Sequence, residues 1–177
     1  FSDFVVLYRT NSQSRALEEA LRRMNIKYKV VGGLSFYQRK EIKDMLAYLR
    51  YSLNPQDEAS FRRIINLPKR GIGDTTVDKI IVAANDHGIS IWEALENIPS
   101  FLGSGRSVYA IEDFVTKIKR FGIEIQNKDA YEAAAEIAKS SGLLKELYED
   151  KTVEGLSRYE NVQELLNAIK EYVDDPE

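Results

Sequence analysis

Phe61-Arg62-Arg63-Ile64-Ile65-Asn66-Leu67-Pro68-Lys69-Arg70-Gly71-Ile72-Gly73-Asp74-Thr75-Thr76 reads as the end of one helix, a tight loop and the start of another. The preceding helix is expected over about 57–66. The next runs over about 75–87, with Asp74 or Thr75 as its cap and His87-Gly88 as its end. Four basic residues and no acid fall between 61 and 73. Gly71 and Gly73 let the backbone turn tightly and approach a ligand with no Cβ in the way. The helix start beyond them offers unpaired N–H groups and the positive end of a dipole, which suits an anion. Lys69, Arg70 and the Thr75 hydroxyl add donors. Two readings stand open: a tight interhelical turn, or a helix–hairpin–helix-like loop that grips a DNA phosphate without reading bases. The four basic residues favour the second.

Outward from this loop the chain is mostly helical. Ile42, Met45, Leu46, Leu49 and Leu53 form one stripe over about 38–53, which Asn54-Pro55 stops. Val108, Ile111, Phe114, Val115, Ile118 and Phe121 recur at helical spacing over 107–121. Leu156, Val162, Leu165, Leu166, Ile169 and Val173 do so over about 154–173, and short helices are expected near 90–97 and 130–140. The beginning differs. Phe4-Val5-Val6-Leu7-Tyr8 and Tyr28-Lys29-Val30-Val31 read as strands flanking a helix that carries Ala16, Leu17, Ala20, Leu21 and Met24. The expected fold class is therefore mainly α: a small βαβ piece followed by an all-α helical domain with the Gly-Ile-Gly loop. Phe1-Ser2-Asp3-Phe4 is neither an initiator Met nor a basic leader, and reads like a cut made just before a strand.

Composition narrows the chemistry. The 177 residues contain no Cys and one His, which excludes disulfides, thiol catalysis and cysteine-held metal, and leaves little for a histidine site. No apolar run is long enough to cross a bilayer, so a cytoplasmic protein is expected. The net charge of −3 is unevenly spread. Residues 1–80 carry 15 Lys/Arg against 9 Asp/Glu, whereas residues 145–177 carry 4 against 10. Any polyanion site is expected in the basic front. There the turn Arg9-Thr10-Asn11 has side chains suited to a phosphate or a base edge, and equally suited to a capping loop with a solvated arginine. Arg39, Lys43 and Arg50 read as a solvated mixed-charge face, Phe36 and Tyr37 as packing at the joint of the two parts, and Trp92 as core. No phosphate loop and no carboxylate cluster with metal spacing is present, so no cofactor is expected in the chain itself.

Several stretches together resemble the UvrD/PcrA/Rep superfamily 1 DNA helicases. They are Leu7-Tyr8-Arg9-Thr10-Asn11-Ser12-Gln13-Ser14-Arg15, Val31-Gly32-Gly33-Leu34-Ser35-Phe36-Tyr37-Gln38-Arg39-Lys40-Glu41-Ile42-Lys43-Asp44, Ala47-Tyr48-Leu49-Arg50, Ile64 to Gly73, and Arg158-Tyr159-Glu160-Asn161. The resemblance implies that residues 1–35 belong to the second RecA-like subdomain (2A) and residues 36–177 to the helical 2B insertion of a 3′–5′ helicase that unwinds duplex DNA in repair or replication. ATP and Mg would then be used by the parent protein, whose nucleotide motifs lie outside this stretch, and accessory repair or replication proteins would be possible partners. Arg9, Thr10 and Asn11 match the motif that touches single-stranded DNA. Lys69, Arg70, Gly71, Ile72, Gly73 and Thr75 match the hairpin that meets the duplex. Ser35 stands where the family often has a basic residue. The competing reading is a helical protein-interaction module without direct DNA binding.

Overall fold

A computed structural model describes residues 4–31 and 33–175, and for Asn11 the backbone alone. Ten α-helices are assigned among the described residues: α1 (Ser14–Arg23), α2 (Lys40–Leu53), α3 (Glu58–Ile64), α4 (Asp74–His87), α5 (Ile91–Glu96), α6 (Ile98–Leu102), α7 (Arg106–Asn127), α8 (Ala130–Ser140), α9 (Leu143–Glu149) and α10 (Val153–Asp174). Short 3₁₀ turns at Asn11–Gln13 and Phe36–Gln38 precede α1 and α2. No helix among the described residues is long and apolar enough to cross a membrane.

The expected βαβ piece is corrected here: its central helix forms as α1, but no strand is present among the described residues. Propensity makes residues 4–8 and 28–31 suitable for strands, yet a strand exists only with a partner to complete its backbone hydrogen bonds. Among the described residues neither segment has one. Val5 and Leu7 are 81% and 89% exposed, so the apolar run buries nothing.

The chain forms two compact units. One comprises the residues up to Met45 and those from Leu144 onward; the other comprises Leu46–Leu143. In the first, Phe36, Ile42, Met45, Val162, Leu165 and Leu166 are buried, and so are Arg15, Glu18, Arg39, Glu41 and Asn161. Arg15 meets Glu19, Glu164 and Glu171 at 2.7, 2.8 and 3.0 Å. Arg39 donates to Asn161 Oδ1 and Ser14 Oγ, both at 3.0 Å, and Asn161 donates to Glu41 at 2.6 Å. Burial pushes the Arg39 guanidinium below its ordinary value, with Glu41 opposing. Glu18 accepts from Ser35 Oγ, from the Phe36 N–H at 2.9 Å and from Tyr28 Oη at 3.0 Å. Burial pushes the Glu18 carboxyl up, and these donors together outweigh it, holding the group below its usual range. The expected solvated face on α2 is thus half wrong: Arg39, Glu41 and Asp44 are buried, whereas Lys43 and Arg50 are exposed.

The second unit has an aromatic centre. Tyr51 lies 5.9, 6.0 and 6.0 Å from the rings of Phe61, Trp92 and Phe114, and among the described residues its buried hydroxyl has no hydrogen-bond partner. All six residues of the 107–121 stripe are buried as expected. Caps fix the ends: Asp57 accepts from the Ser60 N–H on α3, Ser90 and Glu93 form a capping box on α5, and Gly88 closes α4 at φ 64°. In the first unit, Thr152 caps α10 by accepting from the Gly155 N–H at 3.0 Å, and Asp150 in turn accepts from Thr152.

Candidate nucleic-acid interface

The loop between α3 and α4 is built from the inside. Ile72 is buried at 1% exposure and so anchors the loop in the core; Ile64, Ile65 and Val77 of the same unit are buried as well. Helix α3 ends with carbonyls that have no partner within the helix. Arg70 supplies one: its Nη1 donates to the carbonyls of Ile64, Ile65, Leu67 and Pro68 at 2.9, 3.1, 2.9 and 3.3 Å. Its Nη2 donates to Tyr48 Oη at 2.6 Å, and its Cζ sits 5.3 Å from the centre of the Phe114 ring. Tyr48 Oη donates to the Leu67 carbonyl. Asn66 Oδ1 accepts from the N–H groups of Arg70 and Ile72 at 2.8 and 3.3 Å.

The outer side of the loop carries Lys69, Gly71, Gly73 and Thr75, all exposed. Gly71 has φ 76°, a conformation that suits glycine. Gly73 is the N-cap residue of α4 at φ −84°, so neither Asp74 nor Thr75 holds the expected capping position. A Cβ at Gly71 or Gly73 would meet nothing within 4 Å. Gly73 gives α4 no side-chain cap, and the exposed carboxylate of Asp74 lies in the first turn. Of the six residues expected at a duplex, four therefore lie on the outer surface, while Arg70 and Ile72 turn inward. Arg62, another of the basic residues, is paired with Glu58 at 2.7 Å.

The second expected cluster belongs to the other unit. The N–H groups of Arg9 and Thr10 both donate to Gln13 Oε1, at 3.0 and 3.2 Å, so this turn caps the start of the helical segment. Thr10 Oγ1 lies 3.1 Å from Ser12 Oγ. The Arg9 side chain is exposed, and the side chain of Asn11 lies outside the described residues. The sequence reading missed Asn66 and Tyr48 as loop-shaping residues. Asn66 was visible as an amide at a helix end; Tyr48, 22 residues from Arg70, had no local signal.

The family described as the UvrD-like helicase C-terminal domain matches residues 1–177, and the chain belongs to it. It is 40% identical over 172 residues to the ATP-dependent DNA helicase PcrA of Bacillus subtilis, covering 97% of this chain and 23% of the relative. To the DNA helicase II of Haemophilus influenzae it is 39% identical over 172 residues, covering 97% of this chain and 24% of the relative. The chain thus spans about a quarter of the length of these relatives.

Proposed function

We propose that this chain is the DNA-contacting and regulatory part of an ATP-dependent 3′–5′ DNA helicase acting in repair or replication. Residues 1–35 would belong to subdomain 2A and residues 36–177 to 2B. ATP and Mg are used by the parent protein, through motifs outside this chain. The observation that carries the reading is the outer face of the α3–α4 hairpin. Lys69, two glycines and the start of α4, whose cap residue carries no side chain, are exposed there and suit a backbone phosphate. Lys69, Gly71, Gly73 and Thr75 would touch the duplex, and Arg9, Thr10 and Asn11 would form a separate single-strand contact. The relatives are named as DNA helicases, which fits a DNA-contacting role.

Gly73→Ala is the direct test, because its φ suits any residue and its surroundings are open. In the full-length protein this variant should melt like wild type yet bind blunt duplex more weakly across a salt series. Lys69→Ala should weaken all duplex sequences alike and reduce the salt slope by about one unit. A Gly73→Ala protein that binds duplex as well as wild type would show the loop to be only a turn.

A further inference from the structure

We propose that Arg70 is a positioning residue of the hairpin and not a ligand of the nucleic acid, an inference that rests on the duplex reading above. A guanidinium has five N–H donors in a rigid plane and bonds best where acceptors converge around its edge. Here they converge from within the protein: four carbonyls around Nη1, a phenol oxygen at Nη2 and an aromatic face beneath the plane. The carbonyls are those of the last residue of α3 and of the turn that follows it. The charge of Arg70 is therefore spent on closing α3 and fixing the course of residues 65–68.

Asn66 completes the device. Its single oxygen takes the N–H groups of Arg70 and Ile72, so these two backbone donors also point into the hairpin. With both side chain and N–H of Arg70 committed inward, and Ile72 buried, the phosphate-facing surface reduces to Lys69, the two glycines and the start of α4. The hairpin thus separates two roles carried by adjacent basic residues. Lys69 supplies charge to a partner, and Arg70 sets where the glycine backbone stands.

Lysine cannot replace Arg70 in this role. An ammonium keeps the charge but lacks the flat fork needed to reach Tyr48 and the four carbonyls at once. The experiment uses the full-length protein, a blunt duplex, a salt series and a parallel thermal melt. Arg70→Lys should lower duplex affinity by about tenfold while leaving the salt slope unchanged. Tyr48→Phe, a mild change expected to fold, should weaken binding in the same way and be non-additive with Arg70→Lys. Lys69→Ala should instead lower the slope by about one unit. If Arg70→Lys binds like wild type and Arg70→Ala lowers the slope by about one, Arg70 is a phosphate ligand and the positioning role is wrong. If Lys69→Ala, Gly73→Ala and Arg70→Lys all bind duplex like wild type, the duplex reading itself falls, and this role for Arg70 falls with it.

Discussion

Arg39 Nη1 and Asn161 Oδ1 are 3.0 Å apart, although 122 residues separate them in the chain. Both side chains are buried, at 7% and 2% exposure, and Asn161 passes the connection on to Glu41 at 2.6 Å. One amide thereby satisfies a buried cation with its oxygen and a buried carboxylate with its nitrogen. The carboxamide carries its acceptor and its donor on separate atoms, so both partners are met at once. The contact ties the segment before α2 to α10 and closes the first unit.

Asn161→Ala should therefore cost about 3 kcal/mol, since it strips a partner from two buried charged groups. Urea unfolding followed by circular dichroism measures it. A loss below about 0.5 kcal/mol would place the interaction among surface-like pairs.

Glu18 sets an acid limit on the same unit. Its carboxyl is held below the ordinary value of 4.5 in the folded chain, so between those two values the unfolded chain binds more protons. The contribution is complete above about pH 5 and is lost as pH falls through the folded value. Stability measured from pH 7 to pH 3 should drop on the acid side. Glu18→Gln should lower stability at pH 7 and flatten that drop; an unchanged acid limb would assign it to other carboxylates.

Gly155 is needed for a different reason than turn geometry. A Cβ there would overlap the carbonyl oxygen and the carboxyl group of Asp150, the residue that supports the Thr152 cap of α10. Gly155→Ala should destabilise by about 2 kcal/mol despite the better helix propensity of alanine. Paired with Asp150→Ala, it should still destabilise, because the backbone overlap remains.

The two buried tyrosines of α2 should respond in opposite directions. Tyr51 hides a hydroxyl without a partner among the described residues, so Tyr51→Phe should raise stability by about 1 kcal/mol. Tyr48 accepts from Arg70 and donates to Leu67, so Tyr48→Phe should lower it by about the same amount. Thermal melts of the two single variants separate these outcomes. Equal and opposite shifts are expected, and a destabilised Tyr51→Phe would indicate a bridging water.

What the sequence made legible were features that repeat or punctuate locally. The stripe on α7, the Asn54-Pro55 stop and the Gly88 closure all depend on neighbours a few residues away. Arg39 was misread because its partner is 122 residues distant and a charge pattern on one helix shows nothing of it. Residues 4–8 were misread for the complementary reason: their propensity is real, but pairing is a property of two segments. At the hairpin, spacing alone made Gly71 and Gly73 equivalent and Lys69 and Arg70 interchangeable. Backbone φ separates the first pair, and inward hydrogen bonding separates the second.

Asp74 bears on time as well as affinity. Its carboxylate occupies the first turn of α4, at the positive end of the dipole that the proposed phosphate contact would use. An anion at that helix start would share the field with the fixed negative charge of Asp74. For the proposed duplex contact, this fixed charge favours quick exchange over a lasting grip.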